Sequence, residues 1–202
     1  DLRHYQKIHR ELTLAGRLFY GTYWGNNKQD YLVGGMQNWI FNKTENQGEE
    51  DPLKFTNSTD NSNILFTEFV TNLRGFDYNE LFGNSALVFN AELRFPVFRY
   101  LSGSPISSNF LRNFQLIGFY DFGSAWNGKP PITRGSGAQT KKYVSNGFIG
   151  EISNFQNPWL ASYGAGLRTV LLGYYLKVDV ARPIRDFQVG STRFYFTLGL
   201  DF

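Results

Sequence analysis

The chain has no cysteine and a single methionine among its 202 residues. Thiolate metal and redox sites are thereby ruled out, and a chain without thiols or a disulfide framework suits a secreted or cell-envelope setting. Histidine is nearly as scarce. His4 and His9 lie close together near one end of the chain, away from any serine or metal-ligand cluster, so both read as surface or interfacial residues rather than as a base or ligand. Long hydrophobic runs are missing too. The best, over 169–176, is strand-length and far short of the roughly 18 apolar residues a spanning helix needs, which excludes a helical membrane protein. Charge of one sign is also lacking: 20 Lys and Arg against 17 Asp and Glu leave a formal charge of +3, too little for a nucleic-acid-binding stripe.

Aromatic residues, by contrast, are abundant. Phe, Tyr and Trp number 20, 12 and 4, yet the mean hydropathy is only −0.34. That combination fits strands that each expose one apolar face. The last ten residues have this form: Phe194, Phe196, Leu198, Leu200 and Phe202 share one side of a strand, and Arg193, Tyr195, Thr197, Gly199 and Asp201 share the other. A chain ending on such a strand reads as the terminal-strand signal of a membrane barrel, with its aromatic face toward lipid.

The same two-residue period recurs along the chain between clusters of Gly, Asn, Ser and Pro. Strand-like segments fall near 1–7, 10–23, 31–41, 84–98, 113–126, 160–170, 172–183 and 193–202, about eight in all. In 84–98, Leu87, Phe89, Leu93 and Phe95 oppose Asn90, Glu92 and Arg94. In 113–126, Leu116, Tyr120 and Phe122 oppose Phe119 and Asp121. In 172–183, Leu176, Val178 and Val180 oppose Lys177 and Asp179. Each strong strand keeps its charges on one side. A soluble two-sheet sandwich is the alternative, but its outward faces would carry more Lys and Glu. Only helices and closed barrels satisfy their backbone groups in lipid, so the expected fold is all-β: a transmembrane antiparallel up-and-down β-barrel.

Connection lengths orient it. Outer-membrane barrels have short periplasmic turns and longer external loops. Counting back from Phe202, the expected external connections are 184–192, 127–158 and 42–83, and the internal ones are 171, 99–112 and 24–30. The segment 99–112 is longer than a periplasmic turn should be, and the polar stretch 42–63 reads as an external excursion.

The second half of the 42–83 connection carries more information. Arg74-Gly75-Phe76 is followed by Asn90-Ala91-Glu92-Leu93-Arg94-Phe95-Pro96, then by Gly118-Phe119-Tyr120-Asp121-Phe122-Gly123, then by Tyr163-Gly164-Ala165-Gly166-Leu167-Arg168, and finally by the aromatic-terminated strand. This ordered series resembles the carboxyl-terminal barrel of the BamA/TamA superfamily of outer-membrane assembly and translocation proteins, often labelled bacterial surface antigen. The resemblance covers about residues 31–202 and fits the last six strands best. It implies that the long loop folds back into the lumen and that the tip Arg74, Gly75 and Phe76 is held there by acidic partners, Glu92 and Asp121. Parity places both acids on the polar side independently, and a guanidinium in a dehydrated lumen needs carboxylates. The alternative is that Arg74 is a solvated loop residue and that the acids simply line a watery pore. One departure from the family pattern is the stretch 42–63, which sets Gly34-Gly35 farther from Arg74 than is usual.

The family barrel has sixteen strands, whereas an eight-stranded one has no room for an inserted loop. Residues 1–202 therefore read as the carboxyl-terminal part of a larger barrel, the remainder lying upstream or in another chain. The resemblance implies location in the outer membrane of a Gram-negative-type bacterium. It also implies partners in outer-membrane lipid, in unfolded outer-membrane or secreted polypeptides and in accessory lipoproteins, with no nucleic acid. No cofactor or metal and no enzymatic activity are expected, since Gly164-Ala165-Gly166 lacks the helix of a nucleotide loop and reads as close strand packing. The leading function is to assist insertion of outer-membrane proteins or translocation of polypeptides. A two-partner secretion pore and a passive barrel anchoring an upstream domain are the alternatives.

Overall fold

The computed structural model describes residues 1–26, 29–43, 68–70, 72–131, 139–145, 148–154 and 157–199. The strands are β1 (Leu2–His9), β2 (Leu12–Thr22), β3 (Tyr31–Val33), β4 (Glu68–Val70), β5 (Leu81–Gly83), β6 (Ser85–Phe95), β7 (Gln115–Trp126), β8 (Gln139–Ser145), β9 (Phe148–Asn154), β10 (Leu160–Leu171), β11 (Tyr174–Arg185), β12 (Gln188–Val189) and β13 (Arg193–Leu198). Two short helices, α1 (Val97–Leu101) and α2 (Asn109–Arg112), lie between β6 and β7. Among the described residues no helix is long and apolar enough to cross a membrane.

The main sheet is antiparallel and ordered β1-β2-β6-β7-β10-β11, with β12 and β13 both pairing to the far side of β11. Its connections alternate as a meander requires. Residues 10–11, 96–114 and 172–173 turn at one end, and 23–84, 127–159 and 186–192 turn at the other. The 172–173 turn is tight because Leu172 and Gly173 both take left-handed conformations, φ 51° and 86°, the geometry that matches strand twist in a two-residue hairpin.

This arrangement corrects the expected segment list. Residues 31–41 do not form a barrel strand, and 24–30 is not a turn of the barrel; both belong to one long connection from β2 to β6. Only β3 is extended there, in a separate small sheet ordered β4-β3-β5. The physical reason lies in the residue pattern. Tyr31 to Met36 are all buried rather than alternately buried and exposed, and Gly34, at φ +132°, passes so close to Asp77 that a Cβ would lie 2.3 Å from its carbonyl oxygen. The short turn expected at 24–30 is instead at residues 10–11. Within 127–158, read as a loop, β8 and β9 pair as a hairpin, and the long 99–112 connection contains α1 and α2. Most of the polar stretch 42–63, with Leu200 and Phe202, lies outside the described residues.

Burial follows parity in the main sheet. On β6, Phe89 and Leu93 are exposed while Val88, Asn90 and Glu92 are buried; on β7, Leu116 and Tyr120 are exposed while Ile117, Phe119 and Asp121 are buried. On β13, Phe194 and Leu198 are exposed and Phe196 half-buried, against buried Tyr195 and Thr197. The outer face is thus an apolar, aromatic surface of the kind that suits lipid. The inner face is covered by the β2–β6 connection, whose Tyr31, Val33, Leu73, Phe76 and Leu81 pack on Ala86, Val88, Ala125 and Leu160 of the sheet. A second cluster joins Met36 and Trp39 to Phe119, Ala181 and Tyr195.

Among the described residues β1 pairs only with β2, so its outer edge is open, and no strand joins β1 to β13. The outer edge of β13 is partly occupied from within: Trp39 bridges Thr197, and the Ile40 amide donates to the Phe196 carbonyl at 3.0 Å.

This register predicts depth-dependent costs in a bilayer. Phe89, mid-strand and outward, is expected to cost about 2–4 kcal/mol more as Arg than as Ala, whereas Leu172 at the turn should cost about 0–1 kcal/mol. Reversible unfolding from lipid vesicles measures both, and equal penalties would reject the outward face.

Candidate functional site: a buried arginine at a loop tip

The tip at residues 72–76 is brought down onto the inner face by backbone geometry as well as charge. Gly75 takes φ +92° and sits so tightly that a Cβ would lie 3.0 Å from Ser162 Cβ and 3.1 Å from the Pro183 nitrogen, a conformation and a space that both favour glycine. Its amide donates to the Tyr195 hydroxyl at 2.7 Å, and that hydroxyl donates to the Phe76 carbonyl at 2.9 Å. The Phe76 ring is buried in the core beneath the loop.

Arg74 is 1 % exposed. Its Nε and Nη2 donate to the two oxygens of Asp121 at 2.7 and 2.8 Å, a bidentate pair, and its backbone amide donates to Asp121 Oδ2 at 3.1 Å. Nη1 donates to Glu92 Oε1 at 2.7 Å and lies 3.6 Å from Asp179 Oδ2, the latter a charge contact rather than a hydrogen bond. The guanidinium carbon stands 3.5 Å from the centre of the Phe119 ring, so one face of the cation meets an aromatic quadrupole while its rim meets carboxylates. Burial alone would lower the pKa of Arg74. The charge and hydrogen bonds of Asp121, followed by the charges of Glu92 and Asp179, outweigh that and raise it, so the side chain stays a cation.

The structure therefore brings Arg74 together with both acids named from sequence, on neighbouring strands β6 and β7. It adds partners that the sequence reading did not nominate. Arg168 on β10 donates to Glu92 Oε1 at 3.0 Å, and Arg94 donates to Glu92 Oε2 at 3.0 Å. Asp179 on β11 lies 3.6 Å from Arg168 as well as from Arg74. Asn90 donates to Asp121 Oδ1 at 2.9 Å and also to the Asn72 carbonyl, tying the tip to β6 a second time. Arg74, Arg94 and Arg168 thus face Glu92, Asp121 and Asp179, three charges against three. A signal for the extra members was present: Arg168 closes the Tyr163–Arg168 motif, and Asp179 shares the parity of Lys177.

Two glycines of that motif make room for the cluster. A Cβ on Gly164 would fall 2.0 Å from the Val180 carbonyl oxygen and 2.6 Å from Phe119 Cζ, and one on Gly166 would fall 1.7 Å from Asp179 Oδ1. The motif is therefore the space in which the Phe119 ring and the Asp179 carboxylate lie. The histidines stay outside the site. His4 and His9 are exposed, and His9 Nδ1 is 3.0 Å from the Tyr100 hydroxyl. Among the described residues no group of His, Cys, Asp and Glu is arranged to hold a metal ion.

An antiparallel sheet with an apolar outer face, a loop folded on its inner face and a buried Arg-Gly-Phe tip defines a class: part of an outer-membrane-type β-barrel with an inserted loop. The chain belongs to the Omp85 superfamily, whose domain model, described as the Omp85 superfamily domain, matches residues 5–202. Members are outer-membrane proteins of Gram-negative-type bacteria, generally non-enzymatic, that insert or translocate polypeptides. No curated protein and no solved structure matched the chain significantly.

The crowding at Gly164 yields a stability prediction. Gly164→Ala is expected to cost about 1–3 kcal/mol by overpacking, while Gly118→Ala, with nothing within 4 Å of the added Cβ, should be close to neutral. Unfolding of the two variants in the same lipid vesicles checks the difference.

Proposed function

We propose that this chain is the carboxyl-terminal part of an outer-membrane barrel that assists the insertion of outer-membrane proteins or the passage of polypeptides across the membrane, with Arg74 latching the β2–β6 connection inside the lumen. The observation that carries this reading is the placement of one loop cation, 1 % exposed, against inward carboxylates on three strands, β6, β7 and β11, with Arg168 of the intervening β10 beside them. A barrel that served only as an anchor would have no need to tie a loop tip to its wall with a buried ionic cluster, because replacing such a cluster with apolar side chains is often neutral or stabilising. A latch has another use. It keeps the lumen sealed and the sheet in one shape, and it can be undone when a substrate chain competes for the inner face.

In this reading the lipid face contacts the outer membrane and unfolded polypeptides are the substrates. Accessory lipoproteins are candidate partners. The open edge of β1 calls for further strands, from upstream sequence or another chain, because each unpaired backbone group in lipid costs several kcal/mol.

The test is Arg74→Ala in the whole protein, in cells that depend on it. Removing the cation leaves Glu92, Asp121 and Asp179 without their shared partner, a change worth about 3–5 kcal/mol in a buried pair. The expected result is a severalfold drop in folded outer-membrane proteins while the variant barrel itself remains in the membrane, with Arg74→Lys intermediate because a point charge cannot bind Asp121 bidentately. Normal assembly at normal abundance of the Ala variant would favour the passive anchor. A defect restricted to one secreted polypeptide would favour the secretion pore.

A further inference from the structure

The connection between β6 and β7 is an unusual feature for the turn end of a barrel. Residues 96–114 are far longer than a periplasmic turn needs, and they fold rather than trail. Pro96 stands at the start of α1, and the Ser108 side chain caps α2 by accepting from the Leu111 amide.

The two helices sit on the outer side of the sheet, not across its mouth. Phe95 of β6 and Thr169 of β10, which the helices meet, have outward parity, and Phe114, just ahead of β7, continues the outward parity of Leu116. The Phe95 ring lies 4.9 Å from Tyr100, and the Phe114 ring lies 5.4 Å from Phe98 and 5.9 Å from Phe110. Thr169 of β10 donates to the Phe110 carbonyl at 2.9 Å. Thr169 is only 3 % exposed although its strand neighbours of the same parity, Ala165 and Tyr163, are exposed, because α2 covers it. The connection has been bent outward onto the face that carries Phe89, Leu93, Leu116 and Tyr120.

The side chains it then presents are apolar. Leu101 is 73 % exposed, and Phe98, Phe110 and Leu111 are more than a third exposed. The neighbouring β10–β11 turn adds Leu172, 90 % exposed. Cations flank them: Arg112 ends α2, and Arg10, at the β1–β2 turn, holds its guanidinium 5.7 Å from the Tyr100 ring. Apolar side chains on one side, arginines beside them and short helices lying along the end of a lipid-facing sheet form the pattern of a segment seated at the boundary between acyl chains and headgroups.

We infer that residues 96–114 form a membrane-interface foot, with Leu101, Phe110 and Leu111 entering the acyl layer of the leaflet at the turn end of the sheet and Arg10 and Arg112 meeting lipid phosphates. The occupant of this surface is lipid because the surface is continuous with the apolar outer face and lies on the same side of the strands. The inference rests on that face being in the bilayer, and its test separates the two.

The experiment uses the whole protein in vesicles of phosphatidylcholine and phosphatidylglycerol, with single cysteines introduced for an environment-sensitive fluorophore, this chain having none of its own. Leu101→Cys and Leu111→Cys probe the foot, Ser104→Cys the stretch between the helices and Leu93→Cys the mid-sheet face. Labels at 101 and 111 are expected to be quenched severalfold more by spin-labelled lipid with a shallow probe than by aqueous iodide, and the label at 93 by a deep lipid probe. Iodide quenching at 101 and 111 equal to that at a water-exposed control, with 93 still lipid-quenched, would overturn the foot and leave the barrel face standing. Shielding of 101 and 111 from both quenchers would also overturn it, since protein would then cover them. Iodide quenching at 93 would overturn both.

Discussion

The structure depends on the cost of burying a guanidinium. Arg74 cannot leave water without partners, and the partners must come from strands that are far apart in sequence and adjacent only when the sheet is in register. Asp121 from β7, Glu92 from β6 and Asp179 from β11 meet that need at once. A slip of one residue in any of these strands would turn its carboxylate to the lipid face. The ionic cluster therefore fixes sheet register and loop position together, which an apolar core does far less strictly.

Around this charge the apolar parts of the connection form the seal. Leu73 and Phe76 flank the tip and pack against small inward residues, Ala86, Ala125 and the Gly123 backbone, near the 23–84 end of the strands. Farther along, Phe119 both stacks on Arg74 and joins Met36 and Trp39. Inward positions at this end are small because a folded loop fills the space that side chains fill in a narrow barrel. Toward the other end the inner face carries Arg94, Arg168 and Lys177, and the first two bind Glu92, the carboxylate that Arg74 also reaches.

Much of this was legible in the sequence, for a reason that is physical rather than statistical. A sheet with lipid on one side and a buried ionic cluster on the other imposes a strict two-residue period, so the lipid and inner faces of the 84–98, 113–126 and 172–183 segments could be assigned from parity. Arg74 stood out through the resemblance carried by Arg74-Gly75-Phe76, and Glu92 and Asp121 through that resemblance together with their inward parity. Residues 31–41 misled because Tyr31, Leu32 and Val33 have strand composition, and β3 does form. It is buried on both sides in the loop's own small sheet, and the period alone does not distinguish a strand of the wall from one folded against it. The 96–114 helices were hidden for a similar reason: four- and five-residue helices are too short to show a 3.6-residue period.

Loop and sheet edge are linked through a short chain of contacts. Trp39 sits against the Tyr195 ring at 4.6 Å while its neighbour Ile40 donates to the free edge of β13. The Tyr195 hydroxyl in turn accepts from Gly75 and donates to Phe76. Withdrawing the tip would leave that hydroxyl unpaired on the inner face, and shifting β13 would pull it from both loop groups. Because a buried donor or acceptor that loses its partner costs about 1–3 kcal/mol, neither movement is free of the other. The last strand and the arginine-bearing loop, which are more than a hundred residues apart at Gly75 and Tyr195, are thus held as one mechanical unit, with Tyr195 as the joint.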